Sequence, residues 1–206
     1  MIKAEDPSLK YKSLESIGKG SFGKVYYGKS IETGKKVAIK KMRSDWSDCN
    51  LLEVKILRTS RHPHLVQFLE AYLWKGKIEM VMEYCNGGSL SKVTVHNILN
   101  EQQRSIVIKQ VTLGLAYLHD LGYIHRDVKS GNVLMSLGGE VKLADLGCVA
   151  RDPVKGTAGS PMWMAPEIFR RTYYTHKVDV WSLGMVLVEM LDSKVPWPHD
   201  TIVGWR

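Results

Sequence analysis

The chain has 206 residues, and its 29 Lys and Arg against 21 Asp and Glu give a formal net charge of +8. Hydrophobic residues make up 44% and charged residues 24%, a mix that excludes a disordered chain or a collagen-like repeat. This length serves one large domain or two small lobes, and it buries roughly 70% of the unfolded surface, enough for a core without disulfides.

The first third reads as short strands. Val25-Tyr26-Tyr27 and Val37-Ala38-Ile39 are β-rich runs joined by the turn Glu32-Thr33-Gly34-Lys35. Ser47 to Leu57 is predicted to be a short helix with Asp48 as its N-cap. Val66-Gln67-Phe68 and Ile78 to Tyr84 are further strands, separated by Lys75-Gly76-Lys77. Cys85-Asn86-Gly87-Gly88 then breaks the pattern as a hinge. Beyond it the period turns helical. Ile108, Val111, Leu115 and Leu118 form one apolar stripe, and Asn100 with Gln103 resembles a capping box. Val178 to Leu191 is apolar nearly all round, the pattern of a buried central helix.

That run is interrupted by Asp179, Ser182, Gly184 and Glu189, and it falls short of the roughly 20 residues that span a bilayer. The N-terminal Met-Ile-Lys-Ala-Glu-Asp lacks the apolar stretch of a signal peptide. Cys49, Cys85 and Cys148 are odd in number and widely spaced, which reads as neither a disulfide framework nor a zinc site. The expected location is the cytoplasm, with the nucleus as the alternative. Between Lys19 and Arg43 stand eight Lys or Arg and one acid, Glu32. The basic residues are dispersed among apolar ones, so a solvated, phosphate-friendly face is favoured over a nucleic-acid footprint.

Three motifs carry chemistry. In Gly18-Lys19-Gly20-Ser21-Phe22-Gly23-Lys24-Val25 a strand follows the glycines, whereas a dinucleotide fingerprint needs a helix there. Glycines between two strands let backbone N–H groups close over phosphates. Val37-Ala38-Ile39-Lys40 ends an apolar strand on a lysine, 17 residues after Gly23, where a point charge neutralises phosphates. His125-Arg126-Asp127-Val128-Lys129-Ser130-Gly131-Asn132 sets Asp, Lys and Asn in one loop. Asp127 can accept a hydroxyl proton, Lys129 can balance charge on a migrating phosphoryl group, and Asn132 offers a hard oxygen ligand for Mg²⁺. Asp145-Leu146-Gly147 follows 18 residues after Asp127 and supplies a second metal ligand. Ala165-Pro166-Glu167 closes that segment.

In this order, from Gly18 to Trp181, the set resembles the eukaryotic protein kinases of the Ser/Thr type. The resemblance implies an α+β bilobal fold: a β-rich N-lobe over 1–84 with one helix of the αC type, a hinge at 85–88, and an incomplete, mainly helical C-lobe over 89–206. It implies ATP and Mg²⁺ as cofactors. Gly18, Gly20 and Gly23 cover the ATP phosphates, and Lys40 holds them and pairs with a helix glutamate. Val25, Ala38 and Leu134 sandwich the adenine ring, with Ile17 in the same nucleotide-binding set. Glu83 and Cys85 offer hinge backbone groups, and Met82 stands as gatekeeper. Asp127 is the catalytic base, assisted by Lys129, and Asn132 and Asp145 ligate Mg²⁺. The partner of Lys40 is Glu53, ten residues before Pro63; only 13 residues separate the pair, which is short for the family.

Leu146 replaces the usual Phe after the metal-binding aspartate, where the ring packs between His125 and Leu57 in a column topped by Phe68; the smaller side chain costs on the order of 1 kcal/mol. Gly159-Ser160-Pro161-Met162-Trp163-Met164-Ala165-Pro166-Glu167 is most similar to the sterile group, the Ste20-like kinases and those that head mitogen-activated cascades. In that pattern Ser160 contacts Asp127 and Lys129. Arg126 beside Asp127 marks a loop ordered by phosphate, with Thr157 as the acceptor, and Arg151 and Lys155 are either further phosphate contacts or solvated. Expected partners are protein substrates bearing Ser or Thr, an upstream kinase, and a protein covering the C-lobe; nucleic acid and a membrane span are not expected. The chain ends soon after Val195-Pro196-Trp197-Pro198, without the arginine that pairs with the Glu167 position. The reading is therefore a signalling Ser/Thr kinase, with a shortened, catalytically weak nucleotide-binding scaffold as the alternative.

Overall fold

The computed structural model describes residues 2–20, 23–43, 48–192 and 194. The chain divides into two compact units, Met1–Arg61 with Val66–Tyr84, and His62–Leu65 with Cys85–Arg206.

In the first unit β1 (Tyr11–Gly20), β2 (Gly23–Ser30) and β3 (Lys36–Arg43) are followed by α1 (Asp48–Thr59), β4 (Phe68–Trp74) and β5 (Lys77–Glu83). The strands form one antiparallel sheet in the order β1-β2-β3-β5-β4. Alternation along β3 sends Val37 and Ile39 into a core with Tyr72 and Val81, packed by Tyr11 and Tyr26. Lys3 pairs in parallel with Tyr72 and extends the sheet beyond β4. Two sequence readings shift here. Val66 and Gln67 precede β4, which starts at Phe68; Gln67 accepts the Glu83 N–H at 3.0 Å, and its own N–H donates to the Glu83 carboxylate at 2.7 Å. The predicted first helix begins with Ser47, which lies outside the described residues; from Asp48 it runs on to Thr59 and buries Glu53, Val54, Ile56 and Leu57. Ser21, Phe22 and Val195-Pro196-Trp197-Pro198 also lie outside them.

In the second unit β6 (Gly88–Ser89) starts inside the run read as a hinge, and α2 (Leu90–His96) follows. No period announced α2: two turns with Thr and Val leave too short a pattern. Next come α3 (Glu101–Asp120), β7 (Tyr123–Ile124), β8 (Val133–Met135), β9 (Val141–Leu143), β10 (Ala150–Arg151) and β11 (Val154–Lys155). The chain continues with α4 (Pro166–Phe169), β12 (Tyr173–Tyr174) and α5 (Lys177–Asp192).

The capping box at α3 is formed: Gln103 N–H donates to Asn100 Oδ1 and Asn100 N–H to Gln103 Oε1, both at 2.9 Å. Its buried stripe is Val107, Val111, Gly114, Leu115 and Leu118, while Ile108 is half-buried. Gly114 is required because a Cβ there would lie 2.7 Å from the His64 carbonyl oxygen. The expectation of an all-round buried α5 is overturned. Its buried side is Val178, Asp179, Ser182, Leu183, Val186, Glu189 and Met190, and Val180, Trp181, Val188 and Leu191 are exposed. The polar interruptions Asp179, Ser182 and Glu189 thus point inward, where they meet polar groups. Among the described residues no helix is long and apolar enough to cross a membrane.

Candidate active site

In the first unit, strand register gathers the nucleotide candidates. Val25 lies opposite Lys40, Ala38 opposite Met82 and Gly18 opposite Val25. Partners across a ladder and residues two apart share a face, so Val25, Ala38, Lys40 and Met82 lie on one side of the sheet. Ile17 sits at a β-bulge between Ser16 and Gly18, half-buried. Gly20 and Gly23 face each other at the end of the β1–β2 ladder. Gly23 has φ +151°, and a Cβ there would fall 2.3 Å from the Lys41 carbonyl oxygen, so close approach to β3 alone demands glycine. Gly18 is different: its Cβ would meet only Val25, at 3.9 Å. Glu83 donates its backbone N–H to Gln67 and accepts the Gln67 N–H at 2.7 Å on its carboxylate.

Lys40 and Glu53 form the expected pair. Lys40 Nζ donates to both carboxylate oxygens, at 2.6 and 2.9 Å, and the side chains are 6% and 1% exposed. At that burial their mutual attraction offsets the cost of taking both charges out of water. The short connection between them does not prevent the contact.

The second unit builds a loop around Asp127. Ser160 Oγ donates to Asp127 Oδ1 at 2.7 Å, and Lys129 Nζ donates to Asp127 Oδ2 at 2.9 Å and to Ser160 Oγ at 2.7 Å. Asn132 Nδ2 donates to the Asp127 carbonyl at 2.8 Å and to Oδ2 at 3.0 Å. The amide is thereby oriented, with Oδ1, its acceptor end, turned the other way. Asn132 closes a 3₁₀ turn over Ser130–Asn132 and accepts the Ala144 N–H at 2.8 Å, which ties the loop to the residue before Asp145. Asp145 has left-handed backbone angles, φ 63° and ψ 78°, and Leu146 after it is buried. His125 bridges the two segments: Nδ1 accepts the Asp127 N–H at 3.2 Å and Nε2–H donates to the Ala144 carbonyl at 3.1 Å. Leu134 lies in β8 opposite Ser89 and Lys142, and Cys85 is buried.

Residues that the motifs did not assign hold this loop. Asp179, 0% exposed, accepts the His125 N–H at 2.8 Å, the Arg126 N–H at 2.9 Å and His119 Nε2–H at 2.8 Å. Arg126 has φ 66°, a left-handed conformation that costs a non-glycine residue about 1–2 kcal/mol. The two carboxylate bonds to successive amides hold it there. Gly159 is forced: φ is +109° and a Cβ would lie 2.1 Å from the Arg126 carbonyl oxygen. Glu189 accepts from Ser130 Oγ and, at 3.1 Å, from Trp163 Nε1. Burial pushes its carboxyl above the usual range, against the pull of those bonds. The signal for Asp179 and Glu189 was their place in an otherwise apolar helix.

Arg126 Nε donates to the Cys148 carbonyl, and Nη1 donates to Tyr174 Oη at 3.4 Å. Thr157 is exposed, next to Gly156, whose carbonyl accepts Tyr174 Oη–H at 2.7 Å. Burial, with the Asp127 and Asp145 carboxylates, pushes the Cys148 thiol up to about 11, so it is no reactive thiolate. Among the described residues no three His, Cys, Asp or Glu side chains gather as a protein-held metal cage. An oriented amide oxygen and an aspartate instead fit Mg²⁺, which keeps waters and takes few protein ligands beside phosphates.

The comparisons agree with the motifs. The family model described as protein kinase domain matches residues 11–204. Over 204 residues the chain is 41% identical to the serine/threonine-protein kinase STE20 of Saccharomyces cerevisiae, covering 95% of this chain and 22% of that protein. It is 42% identical over 203 residues to the serine/threonine-protein kinase SMU1 of Mycosarcoma maydis, covering 95% and 27%. It is 39% identical over 204 residues to the serine/threonine-protein kinase shk1/pak1 of Schizosaccharomyces pombe, covering 95% and 31%. The chain thus spans less than a third of the length of these relatives.

Proposed function

The chain belongs to the protein kinase family, and from that premise we propose that it transfers the γ-phosphoryl group of ATP to Ser or Thr hydroxyls of protein substrates in a signalling cascade. The observation that carries this reading is the bonding of Asp127 to Lys129, Ser160 and Asn132. A carboxylate so restrained can accept a hydroxyl proton while the neighbouring ammonium offsets charge on the moving phosphoryl group. Lys40, fixed by Glu53, would hold the α- and β-phosphates, and Gly18, Gly20 and Gly23 would cover them. Val25, Ala38, Leu134 and Ile17 would contact the adenine, with backbone groups of Glu83 and Cys85 and with Met82 as gatekeeper. Asn132 and Asp145 would ligate Mg²⁺, which neutralises the phosphate oxygens when bound. Catalysis of this kind is positioning and electrostatic stabilisation.

Ser/Thr rather than Tyr specificity is supported by Lys129, which contacts the Ser160 hydroxyl, and by the names of the relatives. Thr157 would be the acceptor for an upstream kinase, and the Arg126 guanidinium would receive its phosphate. Three cysteines, odd in number and widely spaced, and the buried free thiol of Cys148 suit a reducing compartment, so the cytoplasm is the proposed location.

The test is transfer from radiolabelled ATP to a generic Ser/Thr protein substrate, with Asp127→Ala as control and phosphoamino-acid analysis of the product. The expected result is phosphoserine or phosphothreonine that Asp127→Ala fails to produce. Nucleotide binding without transfer would move the chain to the scaffold reading. Equal signal from both proteins would overturn the enzymatic one.

A further inference from the structure

The basic run between Lys19 and Arg43 has no part in the proposed chemistry apart from Lys40, and strand register gives it a shape. Lys12 on β1 lies opposite Lys29 on β2, and Lys29 lies opposite Lys36 on β3. The three ammonium stems therefore form a row across three strands on one face of the sheet, and all three residues are exposed. Like charges directly opposite each other destabilise a sheet. Among the described residues none of the three has an acidic partner within ion-pair distance, whereas Lys10 is paired with Glu5 and Lys41 with Glu79. Lys35 adds a fourth exposed charge in the adjoining turn. The nearby acids are Glu32 in that turn and Glu15, which lies opposite Tyr27 further along β1.

The same end of the sheet carries exposed aliphatic side chains. Leu9 is 74% exposed and Ile31 is 57% exposed, and the Ile31 N–H donates to the Lys10 carbonyl at 2.8 Å, which joins the two segments. Leu14 is 44% exposed on β1. The aromatic residue next in line with Lys29, Tyr27, is half-buried with its ring against Tyr84 at 4.9 Å and is not presented for stacking on bases. The row contains lysine point charges and no arginine fork, so it is not built for bidentate recognition of one carboxylate or phosphate.

We propose that this lysine row, flanked by Leu9 and Ile31, docks the chain on an anionic lipid surface. The ammonium groups would meet phosphatidylserine or similar headgroups, and the aliphatic side chains would enter the boundary between headgroups and acyl chains. Each lysine near such a surface contributes about fivefold in partitioning, so the row contributes roughly 100-fold. A nucleic acid gives the exposed Leu9 and Ile31 no aliphatic partner, whereas the acyl chains beneath an anionic headgroup layer do.

The test is co-sedimentation of the full chain with phosphatidylcholine vesicles that contain or lack phosphatidylserine, at low and high salt. The expected result is binding to the anionic vesicles alone, released by salt. Substituting Lys12→Gln, Lys29→Gln and Lys36→Gln together should weaken it by roughly 100-fold, and Leu9→Ser with Ile31→Ser should weaken it several-fold. Thermal melts check that the variants fold, and release of the native chain by salt is a readout that needs no variant. Soluble phosphotransfer by the lysine variant should equal that of the native chain, so failure of docking and failure of the kinase reading give different results. Absence of the native chain from anionic vesicles, equal binding to neutral ones, or unaltered binding of a folded lysine variant would each overturn the proposal. So would retention of a single-stranded oligonucleotide or polyglutamate through these lysines when vesicles are not bound.

Discussion

Replacing Asp179 by Asn tests the clamp beneath the Asp127 loop. Asp179 Oδ2 accepts from the His125 amide and from His119 Nε2, and Oδ1 accepts from the Arg126 amide. Asparagine has one acceptor oxygen. With that oxygen in the Oδ2 position, its NH₂ faces the Arg126 N–H, so a charge-assisted bond is lost and a donor is left against a donor. With 0% exposure no water compensates at the side chain. A lost bond to a charged group and a stranded buried amide together cost about 3 kcal/mol, a large share of the roughly 5–15 kcal/mol that stabilises a protein. For a chain of this length that lowers the melting temperature by about 6–12 °C. Arg126 also loses the bond that holds it at φ 66°, and relaxation there moves the neighbouring Asp127. The assay is thermal melting combined with hydrogen exchange at the His125 and Arg126 amides and with phosphotransfer rates. The expected result is a lower melting temperature, accelerated exchange at both amides and slower transfer. A variant that melts within about 2 °C of the native chain and protects both amides equally would refute the reasoning.

Other outcomes follow from the same geometry. Lys40→Met breaks the buried ion pair with Glu53 and should destabilise the first unit by about 3–5 kcal/mol, read by urea denaturation, and should abolish transfer. Gly159→Ala places a Cβ against the Arg126 carbonyl at a left-handed φ and should cost about 2–3 kcal/mol; a melt unchanged by it would contradict the close approach. Glu189 has its folded-state pKa raised, so its contribution to stability is complete below its unfolded pKa and is lost as pH rises through the folded value. Glu189→Gln does not titrate, so the native chain's advantage over this variant should be largest in acid and shrink towards neutral pH in melts followed from about pH 4 to pH 7. A gap that widens with pH would contradict burial as the dominant effect. Cys148 should alkylate roughly 100-fold more slowly in the folded chain than in denaturant at mildly alkaline pH, and mass mapping of the labelled peptide checks it.

The parts of the site that follow from local spacing were legible in the sequence. A strand after the glycines, a lysine in an apolar strand and the run from His125 to Asn132 each fix geometry within a few residues, although β3 does not end at Lys40 but continues to Arg43. The Lys40–Glu53 pair was also found, because Glu53 is the single Glu between Glu32 and Glu70. What the sequence concealed depends on tertiary packing. The α5 pattern announced burial but not which side, and hydropathy alone cannot separate an inward Asp179 from an outward one. The glycine requirement at Gly159 comes from the Arg126 carbonyl, 33 residues away, and no local pattern encodes such a contact. The glycine pattern implies phosphate contact at Gly23, yet its approach to the Lys41 carbonyl already excludes a side chain. The lysine row emerged only with the register, because Lys12, Lys29 and Lys36 are neighbours across strands and distant along the chain.

The most direct measurement is the rate of γ-phosphoryl transfer against Mg²⁺ concentration for the native chain and for Asp145→Asn, with nucleotide binding followed in parallel. Transfer should require Mg²⁺ and fall at least about 100-fold in the variant, whose folded state persists. Metal-independent transfer, or equal rates from the two proteins, would contradict this expectation.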